Sequence, residues 1–155
     1  ALLSAIVQSA QATDSMADCL EQIAIAFGKN FAADGCILQQ VENATPVATS
    51  GSYSNGEKVE NWLAEDPLTK QAIATQKMQV AVNVPADSTL SEVEHYTNSG
   101  TQAHLIVPVT YRNDVLAVLS LQWKQPCSLR EDELMLLHLS AQQVALALTC
   151  SRHKH

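Results

Sequence analysis

The sequence predicts one domain of the mixed α/β (α+β) class. We expect an antiparallel sheet with long N- and C-terminal helices on one face and loops with a short helix on the other. Three observations carry this expectation. Leu105 to Trp123 (LIVPVTYRNDVLAVLSLQW) holds two apolar runs, Leu105–Val109 and Val115–Leu121, around a polar Arg112-Asn113-Asp114 centre, which is a hairpin pattern. Residues 1 to 31 and roughly 130 to 150 carry apolar residues at helical spacing. Between them, short strand-like runs alternate with turn-forming clusters. Both hairpin runs are apolar at nearly every position, so both sheet faces should be covered, one by helices and one by loops or a ligand.

Taken in order, Leu3, Ile6, Ala10, Thr13, Ala17, Leu20, Ala24 and Phe27 alternate steps of three and four, a heptad seam. Thr13-Asp14-Ser15 interrupts the seam with cap-forming residues, so two near-continuous helices or one weakened helix is expected. The seam has two readings: packing within the domain, or a dimer contact. Cys36–Val41 reads as the first strand, Glu42–Pro46 as a turn and Val47–Ser50 as the second strand. Gly51 to Asn61 is polar and glycine-bearing, hence a loop, which Trp62-Leu63 anchors. Asp66-Pro67 has N-cap and first-position chemistry for a short helix over Leu68–Thr75. Met78–Val82 reads as a third strand. Asn83 to Gln102 is a long patternless stretch, with a short helix starting near Ser88. Pro108 should lie where its nitrogen faces away from a partner strand. Ser128-Leu129-Arg130-Glu131 matches a capping box before the last helix. One stripe of that helix holds Leu134, Leu137, Ala141, Val144 and Leu148; a second holds Leu136, Leu139 and Leu146. Two stripes need two partners: the sheet, and either the first helix or a second subunit. Leu3, Ile6, Ala10, Leu137, Ala141, Val144 and Leu148 are therefore the expected dimer-helix residues.

At 155 residues, one domain can bury roughly 70% of its unfolded surface. Helical patterning at both ends reads as a module, residues 1–155, cut from a longer multidomain chain. A formal net charge of −7 argues against nucleic acid or an anionic membrane as partner. No uninterrupted apolar run approaches the ~20 residues of a membrane span. Cys19, Cys36, Cys127 and Cys150 form no C-x-x-C pair and stand at no zinc-ligand spacing to histidine, so we read them as buried thiols of a reducing cytoplasm. Cys127, in an expected loop, is the candidate for a redox-sensing thiol.

The order helix, two strands, short helix, strand, long loop, hairpin, long helix resembles a GAF domain. The residues that carry the likeness are Pro108-Val109, leading through Asn113 to Val115-Leu116-Ala117-Val118-Leu119, and a closing helix with Glu133, Leu134, Leu137, Gln142, Ala147 and Leu148. Asn113 and Ala117 stand where the family commonly has glycine. The stretch from Ser91 to Pro108 is similar to the chromophore segment of cyanobacterial phytochrome-like GAF domains, with Ser91 in the place of the bilin-attachment cysteine and Glu92 in that of the following histidine. A serine hydroxyl does not replace a thiolate nucleophile, so no cofactor and no covalent bilin is expected. The cyclic-nucleotide N-K…F…D-E signature is not found, and the four cysteines do not reproduce the set used by free methionine sulfoxide reductases. The resemblance implies a non-catalytic sensory or regulatory module of a cytoplasmic two-component protein, a histidine kinase or a response regulator. It would bind a small molecule, form a homodimer, or both, and signal to a neighbouring effector domain. The alternative is a dimerisation spacer that binds nothing.

For the ligand, the expected pocket is Tyr53, Trp62, Met78, His95, Tyr96, His104 and Ile106, an apolar wall with a few polar groups. An open pocket would favour sensing, and a filled one the spacer. His138 has no adjacent acidic residue and is not read as a phosphoacceptor. Glu131, Asp132 and Glu133 suit a helix start rather than an acid–base pair.

Overall fold

Two-residue turns set the register of the sheet. Asn43 and Ala44 have φ of 51° and 61°, and Arg112 and Asn113 have φ of 51° and 69°. Paired positive φ is the type I′ geometry whose twist matches antiparallel strands. Each turn joins a hairpin in the computed structural model, which describes residues 1–12, 15–57 and 60–153 (151–153 by backbone only). β1 (Gly35–Glu42) pairs with β2 (Thr45–Ser54), and β4 (Ala103–Tyr111) with β5 (Asp114–Trp123). β1 also pairs with β5, and the short β3 (Gln79–Ala81) adds to β4. The result is an all-antiparallel five-stranded sheet in the order β2-β1-β5-β4-β3. β2 is longer than the sequence indicated and takes in Gly51–Ser54. Gly51 is tolerated there because α2 (Met16–Asn30) crosses it closely: an added Cβ would meet the backbone of Leu20 and Glu21. β3 begins with Gln79 opposite Ile106 and runs away from Pro108, so no β3 residue faces the missing N–H.

The helices cover one sheet face. α1 (Leu2–Ala12) and α2 precede the sheet, and α5 (Glu131–His153) closes it. Ser15 caps α2 by accepting from the Asp18 amide at 3.1 Å; Thr13 and Asp14 lie outside the described residues. α5 starts later than the Ser128 capping box implied. Arg130 occupies the cap position, and the Glu133 carboxylate accepts from its amide at 3.1 Å. The negative first turn, Glu131 to Glu133, suits the positive end of the helix.

Strand alternation divides the core. Cys36, Leu38, Leu105, Val107, Val109, Leu119 and Leu121 point to the helices and join Ile6, Leu20, Ile23, Phe27, Leu137, Val144 and Leu148. Ile6, Leu137, Ala141, Val144 and Leu148, expected at a dimer contact, are therefore buried within the domain, while Leu3 is 41% exposed. The second α5 stripe is the outward one: Leu139 and Leu146 are each about half exposed, beside the exposed Met135. Glu131–Cys150 is long and apolar enough, by composition alone, to cross a membrane. This departs from the sequence reading. Within this fold its inner stripe packs as a core helix.

The other sheet face is covered by a 3-10 turn at Leu63–Glu65, α3 (Pro67–Thr75), a second 3-10 turn at Val84–Ala86 and α4 (Glu94–Ser99). α4 begins later than the helix expected near Ser88. Ile37, Val41, Ile106 and Val118 pack there against Leu63, Ala72 and Ile73.

Candidate functional site

Four polar side chains, Gln39, His104, Ser120 and Gln122, are buried at alternate strand positions. The hairpin register sets His104 opposite Gln122 and Ile106 opposite Ser120, so the β4–β5 pair carries a polar row under the α3–α4 cover. Asp66 and Tyr96 come down onto this row. Asp66 caps α3 through Oδ2, which accepts from the Thr69 amide and hydroxyl, each at 2.8 Å. Its Oδ1 accepts from Tyr96 Oη at 2.5 Å and from His95 Nε2 at 2.9 Å.

Donor counting fixes the direction of every bond in the row. A carboxylate only accepts, so Tyr96 spends its proton on Asp66 and must itself accept from His104 Nδ1 at 2.8 Å. His104 is fully buried; burial, with a contribution from His95, depresses its pKa to about 4 although Asp66 opposes the shift. The imidazole is therefore neutral near pH 7. With Nδ1 carrying the proton, Nε2 accepts from the Ser120 hydroxyl at 2.7 Å, and Ser120 accepts from Gln122 Nε2 at 2.8 Å. The result is a one-way relay: Gln122 to Ser120 to His104 to Tyr96 to Asp66. Burial would raise the Asp66 pKa. The charge available at His104 and hydrogen bonds from Tyr96, Thr69 and His95 overcome it and hold the carboxyl below its ordinary range. Burial and Asp66 push the Tyr96 phenol upward.

Trp62 closes the cluster. Its ring stacks on His95, with centroids 4.3 Å apart and 20° between planes, and meets Tyr96 and His104 edge-on. Beside it opens a cleft of about 690 Å³, whose walls include Trp62, His95, Ser54, Asn98 and Trp123 and whose lining includes Gln122. Gln122 Oε1 and Trp62 Nε1 are buried without a hydrogen-bond partner.

Of the expected pocket residues, Trp62 and His95 line this cleft. Tyr96, His104 and Ile106 are buried beneath them. Tyr53 and Met78 are elsewhere. Tyr53 shares the parity of Gly51 and packs toward α2, where Gly28 leaves room for its ring. Met78 precedes β3 and packs on the helix-side core, near Pro108 and His138. The sequence reading saw Asp66 only as a cap and did not single out Ser120 or Gln122. Their alternate spacing within an apolar run, opposite His104 in the hairpin, was the available signal.

A family model described as a GAF domain matches residues 13–149. The chain belongs to the GAF domain family. The members of that family are sensory and regulatory modules. No curated protein matches the chain in sequence. Solved structures of similar fold include the GAF domain of an Acinetobacter phosphoenolpyruvate-protein phosphotransferase, 20% identical with TM-score 0.72 over 98% of this chain and 93% of that one. The free methionine-R-sulfoxide reductase of Neisseria meningitidis, solved with its substrate, is 15% identical with TM-score 0.77 over 99% of this chain and 90% of its own. The phycocyanobilin-bound GAF domain of a cyanobacterial phytochrome is 14% identical with TM-score 0.76 over 99% and 95%. At these identities the likeness is one of fold, and it spans an enzyme as well as photoreceptor and phosphotransferase modules.

Proposed function

We propose that this GAF domain is a non-catalytic ligand-sensing module of a cytoplasmic two-component signalling protein, with its small-molecule site in the cleft beside Trp62. The open cleft of about 690 Å³ against the sheet carries this reading, because it is of ligand size and has orphaned polar groups in its walls. None of the four cysteines lines it, and both nitrogens of His104 are engaged in the relay, which supports binding over catalysis. Residue 91 is an exposed serine, which supports a site without a thioether-linked pigment. Pairing with a second copy through the helical layer is supported by Leu3, Val7, Met135, Leu139 and Leu146, large apolar side chains left exposed on α1 and α5, which pack together. In the mechanism we envisage, ligand binding shifts a population of terminal-helix orientations that a neighbouring effector domain reads.

The mutual packing of Trp62, His95, Tyr96 and His104 favours a second reading, a spacer that holds no ligand. Native mass spectrometry over a concentration series separates the two. We expect a dimer carrying a bound small-molecule mass. A dimer of bare chains, unchanged by added metabolite pools, would overturn the sensor in favour of the spacer.

A further inference from the structure

The cleft has a sign. Asp34, Glu57, Glu60, Glu65 and Glu94 line it, and among the described lining residues Lys124 is the one lysine or arginine. Lys58 lies outside the described residues. Carboxylates lining a concave site focus a negative potential into it. Acidic surfaces are common, so the charge alone would say little. The second observation is Gln122. It is 4% exposed, it lines the same cleft, and its Oε1 has no hydrogen-bond partner while its Nε2 is held by Ser120. An unsatisfied buried acceptor costs free energy until a donor reaches it. The relay leaves Gln122 no freedom to offer its amide N–H to the cleft instead.

We propose that the cleft binds a small organic cation bearing N–H groups, an alkylammonium or guanidinium compound. One N–H is donated to Gln122 Oε1, and the positive charge sits among the cleft carboxylates. Charge attracts the ligand and sets its sign; the buried amide oxygen selects for a donor and fixes its position. This rests on the sensor reading of the same cleft and adds the chemical class of the ligand. An anionic ligand would find donors in Trp62 Nε1 and Lys124, but it would face five carboxylates and leave Gln122 Oε1 without a partner.

The test titrates the full chain with four probes while following heat and the Trp62 indole N–H resonance. Putrescine and agmatine are the cations; succinate and butanediol match the carbon chain of putrescine without its charge. We expect saturable binding of putrescine or agmatine that moves the Trp62 signal and weakens as salt is added. Gln122→Leu should weaken binding by about tenfold or more, as loss of a hydrogen bond to a charged group implies. Because Gln122 also holds Ser120, a second variant is needed: Glu60→Gln with Glu94→Gln, both at exposed positions, should weaken binding by about threefold or more with the fold intact. Cation binding that neither variant alters would overturn the site. Succinate or butanediol binding as well as putrescine would overturn the charge assignment and leave the sensor reading standing. If no probe moves the Trp62 resonance, the cation proposal fails, while the sensor reading is decided separately by the native mass spectrometry.

Discussion

Tyr96 and Asp66 meet through a 2.5 Å hydrogen bond, the phenol donating to a carboxylate that is itself fully buried. With the His95 bond to the same carboxylate, it ties α4 to the N-terminus of α3. Asp66 also serves as the α3 cap, so one side chain satisfies four donors.

Replacing it should therefore cost more than a cap. Asp66→Ala removes the acceptor and leaves the buried donors of Tyr96 and Thr69 unpaired, for an expected loss of about 3–5 kcal/mol. Asp66→Asn keeps the shape and an oxygen for the cap, and should lose about 1–3 kcal/mol. Urea unfolding of both variants measures the difference, and equal losses would remove the network from the explanation.

His104 gives the stability a pH dependence. Its folded pKa is about 4, against an ordinary value of 6.5. Between those values the unfolded chain binds more protons than the folded one, so stability is full above pH 6.5 and falls as the pH drops toward 4. The whole window is worth about 3 kcal/mol. Asp66 titrates below its ordinary 3.8, so its contribution is present above that value and is lost at more acidic pH. Unfolding free energies measured from pH 7 to 4 should slope by close to one proton, and His104→Gln should flatten the slope. A slope unchanged in His104→Gln would assign it to another group.

Gly51 and Gly28 make a matched pair. A Cβ at Gly51 would run into the backbone of Leu20 and Glu21, whereas at Gly28 it would meet the Tyr53 ring. A helix backbone cannot step aside as a side chain can. Gly51→Ala should therefore destabilise by about 3 kcal/mol or more, and Gly28→Ala by about 1–3 kcal/mol. Thermal unfolding of the two variants checks the order, and a larger loss at Gly28 would reverse the argument.

The thiols should separate by burial. Cys150 is exposed and Cys127 half-buried, while Cys19 and Cys36 are buried. The sequence reading placed all four inside; Cys150 is instead on the outer side of α5. Burial and then Glu133 push the Cys127 thiol upward, which argues against a low-pKa redox sensor there. Native alkylation should modify Cys150 first, Cys127 slowly, and the other two only after unfolding. Cys127 reacting faster than Cys150 would reopen the sensor reading.

The elements were legible because local chemistry determines them. The Ser15 cap, the Asp66-Pro67 helix start and the turn at Asn113 each act within a few residues. What the sequence hid was which face each side chain takes. Tyr53 looked like a cleft aromatic until the length of β2 fixed its parity, and a strand extended through Gly51 is visible only once α2 lies across it. The expected dimer-helix residues turn out mostly buried within the domain for a similar reason. Leu137 and Leu139 are both apolar, and periodicity alone does not tell the inward row from the outward one. The relay depends on contacts between residues far apart in sequence: His104 opposite Gln122 follows from the hairpin register, but Asp66 reaching Tyr96 depends on how two loops pack.

A carboxylate has no proton to give, and that constraint passes from Asp66 along the row to the cleft. Because Asp66 can only receive, each proton in the row is oriented toward it, and the last member, the Gln122 amide, is left with its oxygen unpaired. The residue at position 66 thus decides, from the far end, which atom of the Gln122 amide is left without a partner. Asparagine there could give or receive, the row could reverse, and the Gln122 nitrogen would be the atom left unpaired. One substitution remote from the cleft would then change its preference from molecules that donate to molecules that accept.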